Sequence, residues 1–430
     1  MRESLTTTAR SGHLVSARTP RGKVAYMMSR FPKITETFVL YEIVAVQGQG
    51  VQVEVYPLQR ERTATMHPEA VPLVEKARFQ PMLALGFLAA HWHYLRRKPR
   101  QYFGALWDSL RATWGSMRYF FGILVFWPKI VQFARMMERD GIEHIHAHFA
   151  SHPAAAAFII HRLTGIPYSF TAHGSDLHRD KHMLSEKIAE AAYATTISQY
   201  NVREIAQACG DEIASRVLVL RCGVDTRAFH PRPRYNTNGG RDRSLLILNI
   251  GTLHEVKGQT YLIEACRLLR ERGARFSLHF VGDGPDRPAL EAQVSAAGLA
   301  DHVVFHGRQE RQAIIDLLQE TDILVAPSVQ SSDNRREGIP VVLMEGMASG
   351  VAVVASDLSG IPELVEHEVS GLLTPPGDAV AIADALERLI HDVSLRQHLA
   401  DGGREKVLRE FDLTTNAAML IERFGIGAGE

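Results

Sequence analysis

A chain of 430 residues with 48 basic and 48 acidic side chains is long enough for two or three hydrophobic cores, and its zero formal charge gives no electrostatic reason to expect nucleic acid as a partner. The three cysteines, Cys209, Cys222 and Cys266, are odd in number and lack metal-ligand spacing, so they fit small core residues in a reducing, cytoplasmic setting rather than a disulfide framework. Residues 1–22 hold four arginines and many Ser and Thr without an apolar run, which argues against a signal peptide and reads as a mobile tail.

From Lys23 the pattern is strand, loop, helix, strand. KVAYMMS is a buried-strand run, and Thr35 is a candidate N-cap for a helix whose apolar Phe38, Val39, Ile43 and Val44 recur at helical spacing. The run VQVEVYPL follows as a second strand, an alternation that begins a parallel, doubly wound sheet. Residues 82–137 interrupt it. They collect all four tryptophans, Trp92, Trp107, Trp114 and Trp127, and the basic cluster Arg96, Arg97, Lys98 and Arg100. The longest apolar run there, Tyr119 to Trp127, contains Gly122 and ends at Pro128, short of the roughly 20 residues a spanning helix needs. Two or three amphipathic helices are expected, lying on an anionic membrane surface or packed on their own domain.

The α/β alternation resumes with EHIHAHF, a helix from His152, the strand YSFTAHGSD, ATTIS, a further helix and RVLVLRCGVD. His144, His146 and His148 alternate along one strand face with no second cluster to complete a metal site, so none is expected there. His173 ends a strand ahead of a glycine, where open α/β sheets bind ligands; a histidine capping the turn is the structural alternative. A Pro-, Gly-, Asn- and Arg-rich linker spans 226–243. A second domain, 244–405, then repeats the alternation with five strand runs, LLILNIGTL, FSLHFVG, VVFHG, ILVAP and VAVVAS.

Ahead of the last of these strands lies EGIPVVLMEGMASG, residues Glu337 to Gly350. Pro340 suits a helix start because the missing N–H has no partner there, and Gly350 suits the exit. The free amides of such an N-terminus attract phosphate. Glu337 precedes the helix and Glu345 lies within it, roughly 8 Å along the axis from Pro340. A nucleotide sugar has that layout, with sugar hydroxyls, diphosphate and ribose hydroxyls in line.

This segment resembles the E-x7-E signature of retaining glycosyltransferases of family 4, and GIPELVEHEVSGLLTPPGD at 360–378 resembles that family's continuation. The wording EGIP is similar to the colanic-acid and exopolysaccharide branch, AHGSD to the HG-D motif, and CGVDTRAF to the inter-domain hinge. The resemblance implies a GT-B architecture: two Rossmann-like doubly wound sheets facing across a cleft, 23–225 (with a helical insert at 82–137) and 244–405, and a terminal helix, 406–430, returning to brace the first domain. It implies a retaining hexosyl transfer from a UDP- or GDP-sugar to a lipid-linked oligosaccharide, metal-independent and without a cofactor. Glu337, His173 and Lys257 would carry the reaction. Donor contacts would come from Glu345, from Gly338, Ile339, Val341 and Val342 at the helix start, and from Thr252, Gly284, Gly307 and Arg308 at strand ends. Thr252 departs from the family's arginine, so Arg308, Arg335 or Arg336 is a candidate replacement for that charge. Arg30, Lys33, Thr35 and Glu36 are acceptor-side candidates by position, a capped helix start being the alternative. GDGPDR is not a dinucleotide fingerprint, since Arg287 stands where the third glycine belongs. Rival readings are a nucleotide-sugar epimerase of similar fold and a catalytically silent sugar-nucleotide-binding protein.

Overall fold

The computed structural model describes residues 22–33, 36–62, 66–81, 85–174, 176–177, 181–231 and 244–426. The apolar runs of the first half form six strands: β1 (Lys23–Phe31), β2 (Gln52–Arg60), β3 (His144–His148), β4 (Tyr168–Ala172), β5 (Tyr193–Thr196) and β6 (Val217–Val219). They pair in parallel in the order β2-β1-β3-β4-β5-β6. Parallel strands need helical crossovers that cover both faces, so β3 and β4 are buried along their full length. One face packs under the Met117–Asp140 and His152–Thr164 helices, the latter using the small, fully buried Ala154 to Ala157.

The second half forms β7 (Leu245–Ile250), β8 (Phe276–Val281), β9 (Val303–Phe305), β10 (Ile323–Ala326), β11 (Ala352–Ser356) and β12 (Leu372–Thr374), ordered β12-β11-β10-β7-β8-β9 and again parallel. The five-strand reading missed β12, a strand of three residues, too short for periodicity to register. Counted from β7, this is the doubly wound order 3-2-1-4-5-6, whose crevice opens between β7 and β10. In the first sheet the order reverses between β1 and β3.

The chain returns to the first domain at its end. The helix Val393–Glu410 runs through position 406, so the crossing begins at Phe411 and Asp412 rather than at the expected boundary. There Val224 N–H donates to Phe411 O at 2.8 Å and Leu413 N–H to Val224 O at 3.0 Å. Asp412 caps the final helix, Leu413–Phe424, by accepting from Thr415 N–H, and its Oδ2 accepts from Thr226 at 2.6 Å. Ala417, Leu420, Ile421 and Phe424 then pack with Val24, Tyr26 and Ile43 of the first domain. Each large side chain buried there contributes roughly 1.5–3 kcal/mol.

The interrupting segment forms three helices, Leu85–Arg97, Pro99–Ala112 and Met117–Asp140. The last corrects the expectation, drawn from the apolar run Tyr119 to Trp127, that this segment falls short of the length of a spanning helix. The 24-residue helix passes through Pro128, starts at the Ser116 cap and stops at Gly141 in the left-handed conformation. Among the described residues it is the one helix long and apolar enough to cross a membrane, and Ile123, Trp127, Ile130, Val131, Phe133, Ala134 and Met137 are buried against the domain. Trp127 is core, whereas Trp92, Trp107 and Trp114 are 64%, 68% and 77% exposed.

Candidate active site between the two sheets

At the crevice of the second sheet, the loop after β7 turns through Glu255–Lys257, and the loop after β10 carries Ser328 and Glu337. Lys257 Nζ donates to Glu337 Oε1, and Ser328 Oγ donates to Glu337 Oε2 at 2.5 Å, so both carboxylate oxygens are engaged. The two charged side chains are 22% and 16% exposed, enough to keep the pair within reach of an incoming ligand. Glu255 fixes the connecting loop, its carboxylate accepting from Ser332 N–H at 3.0 Å and Ser332 Oγ at 2.9 Å. The two predicted residues Lys257 and Glu337 therefore meet directly.

Pro340 is the N-cap of the Val341–Ala348 helix, one position before the expected one, with extended backbone angles. Ile339 is buried with Leu343 in the domain core, while Val341 and Val342 are half-buried at the helix start. Gly338 is the point of contact with the other domain. A Cβ built there would lie 2.9 Å from His173 O and 3.2 Å from Ile197 Cδ1, so a side chain would push the sheets apart. Further bonds cross the cleft: Arg336 Nη1 donates to Tyr200 OH at 2.5 Å, and Glu363 accepts from Gln199 and Tyr200 N–H at 2.9 and 2.8 Å.

Of the remaining donor-side candidates, Gly284 serves its own backbone, because a Cβ there would lie 2.2 Å from Leu253 O. Gly307 O accepts from Gly282 N–H at 2.8 Å, and Arg308 is exposed just beyond it. Thr252 is exposed, with its carbonyl accepting from Gln259 Nε2 at 3.1 Å. Arg335 pairs with Asp333 at 2.7 Å and Arg336 donates to Tyr200 OH.

Glu345, on the same helix, is partly buried. Burial pushes its carboxyl up to about 7, and the nearby Arg311 guanidinium opposes that shift. Arg311 also binds Asp225 at 3.0 Å and Glu69 at 3.5 Å and sits 4.3 Å from the Tyr41 ring. Burial, reinforced by Glu69, Glu345 and Asp225, raises the Tyr41 hydroxyl to about 12 in spite of Arg311. This cluster draws on both domains and the hinge. Asp225 belongs to the CGVDTRAF hinge run, but nothing in the local sequence marked Tyr41 or Arg311, because each is an ordinary residue until the domains meet.

His173 follows β4, with its N–H and that of Gly174 donating to Asp176 Oδ1 at 3.0 and 2.9 Å. Its carbonyl faces Gly338, but its ring points into the first domain. Nε2 lies 3.0 Å from His148 Nδ1 and Nδ1 lies 3.8 Å from Cys222 Sγ, while Phe38 and Phe149 pack on the ring. Burial, then the neighbouring His148, holds the imidazole well below its usual range and therefore neutral. The expectation that no second cluster accompanies the β3 histidines needs correction: Glu42 brings a carboxylate to His146 and His148, the three ligand atoms lying within 4.8 Å of one another.

The acceptor-side candidates Arg30, Lys33 and Glu36 line one open cavity of roughly 350 Å³ with Phe31, Pro32, Met66 and His67. Arg30 pairs with Glu61 at 3.4 Å and Lys33 with Glu36 at 2.5 Å. Burial raises the Glu36 carboxyl, with Lys33 opposing it. Thr35 lies outside the described residues.

The family described as glycosyltransferase family 4 matches residues 35–228, and glycosyl transferases group 1 matches 236–406, one to each sheet. The colanic acid biosynthesis glycosyltransferase WcaL of Salmonella typhimurium is 30% identical over 410 residues, covering 91% of this chain and 96% of that one. The amylovoran biosynthesis glycosyltransferase AmsK of Erwinia amylovora is 36% identical over 248 residues, which span 56% of this chain and 59% of that relative. Among solved structures, Anabaena Alr3699/HepE in complex with UDP superposes with a TM-score of 0.68 at 19% identity, over 93% of this chain and 98% of that one. A glycosyltransferase from Rickettsia africae gives 0.69 at 13% identity over 94% and 98%. The full-length relatedness to WcaL, the two matched halves and the paired parallel sheets place this chain in glycosyltransferase family 4, with the GT-B fold.

Proposed function

We propose that this glycosyltransferase moves a hexosyl group, with retention of anomeric configuration, from a UDP- or GDP-sugar to a lipid-linked oligosaccharide during exopolysaccharide assembly. The observation that carries the reading is the Lys257–Glu337 pair at the switch point of the second sheet, beside a helix N-terminus and against His173 of the other domain. The donor diphosphate draws Lys257 from Glu337 and takes the amides of Gly338, Ile339, Val341 and Val342. Glu337 is thereby released to the sugar hydroxyls, and Glu345 holds the ribose. These groups stabilise the departing diphosphate without a divalent ion. The cavity lined by Arg30, Lys33 and Glu36 receives the acceptor. Exopolysaccharide assembly is supported by the names of the relatives WcaL and AmsK, and a uridine donor by the UDP complex of the structural neighbour.

The insert supplies the contact with the cytoplasmic face of an anionic membrane. Leu88, Trp92, Phe103, Trp107 and Met117 on its three helices, and Trp114 in the turn between the second and third, are all more than half exposed, and Arg96, Arg97 and Arg100 are exposed on the same segment. Lys98 is not part of this surface, since its ammonium donates to Glu138 Oε1 and Leu163 O at 3.1 and 3.0 Å.

The test is a thermal-shift series with UDP- and GDP-hexoses, followed by transfer to lipid-extracted acceptor and NMR of the product's anomeric centre. A donor at 100 times its Kd stabilises by about 2.7 kcal/mol. An inverted product, or no response to any nucleotide sugar, would reject the reading.

A further inference from the structure

The groups behind His173 form a continuous line. Glu42 Oε1 lies 3.2 Å from His148 Nε2, His148 Nδ1 lies 3.0 Å from His173 Nε2, and His173 Nδ1 lies 3.8 Å from Cys222 Sγ. His148 is fully buried and His173 is 7% exposed, so no bulk water intervenes. Glu42 is itself anchored, accepting from Tyr26 OH at 3.0 Å. His146, the next ring along β3, is engaged elsewhere, with Nδ1 2.8 Å from Ser169 Oγ and Nε2 3.2 Å from Thr171 Oγ1.

We propose that Glu42 and His148 are positioning residues that hold His173 in one tautomer, with its proton on Nε2. The inference rests on the reading that His173 belongs to the transfer site, and it follows from counting protons. An ionised carboxylate only accepts, so the His148 nitrogen facing Glu42 must carry hydrogen. A His148 ring with a single proton, on Nε2, has a bare Nδ1 that accepts from His173 Nε2–H. His173 Nδ1 is left bare, facing a thiol that burial keeps protonated and that is a weak donor. Every proton in the line points towards Glu42. The opposite arrangement sets the His148 Nε2 lone pair against a carboxylate at 3.2 Å. In this rotamer the Glu42 contact is not aligned as a hydrogen bond, so its effect on His148 is that of a nearby negative charge. Burial keeps the His146 and His173 imidazoles neutral, as the count requires. The consequence is a His173 ring held in one orientation, with Nδ1 facing the Cys222 thiol and with its own carbonyl held against Gly338.

A cation bound by Glu42, His146 and His148 would use the same atoms and give the opposite result. It would occupy the His148 Nε2 lone pair, move that ring's proton to Nδ1, and force His173 to protonate on Nδ1. The tautomer of His173 therefore decides between the two.

The experiment is long-range proton–nitrogen NMR on the full chain labelled with [15N]histidine, after chelator treatment and again with added zinc chloride. His173→Gln supplies the assignment. The expected result is a neutral His173 protonated on Nε2 in both samples, a mixture of tautomers in Glu42→Gln, and the wild-type tautomer in His148→Asn, whose Oδ1 replaces the Nδ1 acceptor. His148→Leu should not restore it. His173 protonated on Nδ1 in the wild type, or reversal on adding zinc, overturns the proposal, as does an unchanged tautomer in Glu42→Gln. The wild-type spectrum decides even where a variant fails to fold. Loss of the transfer reading would show instead as undiminished turnover in His173→Gln, a result independent of the tautomer.

Discussion

Replacing Glu345 by Gln should make the protein more stable at alkaline pH while weakening its hold on the donor. Burial raises the Glu345 carboxyl from 4.5 to about 7, against the pull of Arg311. An acid whose folded pKa is raised keeps its proton in the native state while the unfolded chain ionises. Stability therefore falls as pH rises from about 4.5 to 7 and stays low above that window. At 1.36 kcal/mol per unit the full cost at pH 8 is about 3 kcal/mol. Part of the side chain is open to solvent, so screening brings the expectation down to roughly 1.5–3 kcal/mol. Glutamine is neutral throughout and escapes the cost. For a domain of this size that is a melting-temperature gain of roughly 3–12 °C at pH 8, shrinking towards zero at pH 4.5. The assay is scanning calorimetry of both proteins between pH 4.5 and 8.5, paired with titration of a uridine or guanosine diphosphate. Parallel curves, or a variant less stable at pH 8, would refute the argument that this carboxylate is held in the fold at a cost. On the proposed role of Glu345 in holding the ribose, losing the carboxylate should meanwhile weaken nucleotide binding by ~1.5–3 kcal/mol.

Lys257→Ala should weaken diphosphate binding by ~1.5–3 kcal/mol in calorimetric titration, whereas Glu337→Gln should lower kcat more than it raises KM for the donor. Unchanged kinetics in both would remove the ion pair from the site. Gly338→Val should reduce turnover by an order of magnitude or more with little loss of secondary structure by circular dichroism, because its side chain meets His173 O; full activity would show that the domains separate there during the reaction. Transfer should persist in excess chelator, and activity restored only by magnesium or manganese would overturn the metal-free mechanism. Changing Trp92, Trp107 and Trp114 together to Ser should abolish co-flotation with anionic liposomes at low salt, and equal flotation of the variant would exclude the insert as the membrane contact.

The sequence by itself determined what depends on neighbours along the chain. Runs such as LLILNI and FSLHFV are strands because their residues are β-formers bounded by turn residues, and Glu337, Pro340 and Glu345 could be assigned to a loop, a helix start and a helix face from spacing. The limits of that reasoning are local too: Pro128 ends the apolar run Tyr119 to Trp127, whereas the helix continues through it to Asp140. The three-residue β12 carries too few residues to show a period. Tertiary structure alone decided which charges meet. Lys257 and Glu337 are 80 residues apart and come together because the sheet order reverses between β7 and β10. Arg311, Tyr41 and Asp225 converge only when two domains and the hinge are in place. Glu42 reaches His148, and His148 reaches His173, because β3 and β4 are adjacent beneath the first helix. Hydrophobic periodicity records which face of an element is buried, but not which buried face lies opposite it, and the proton count of this site is written in that second piece of information.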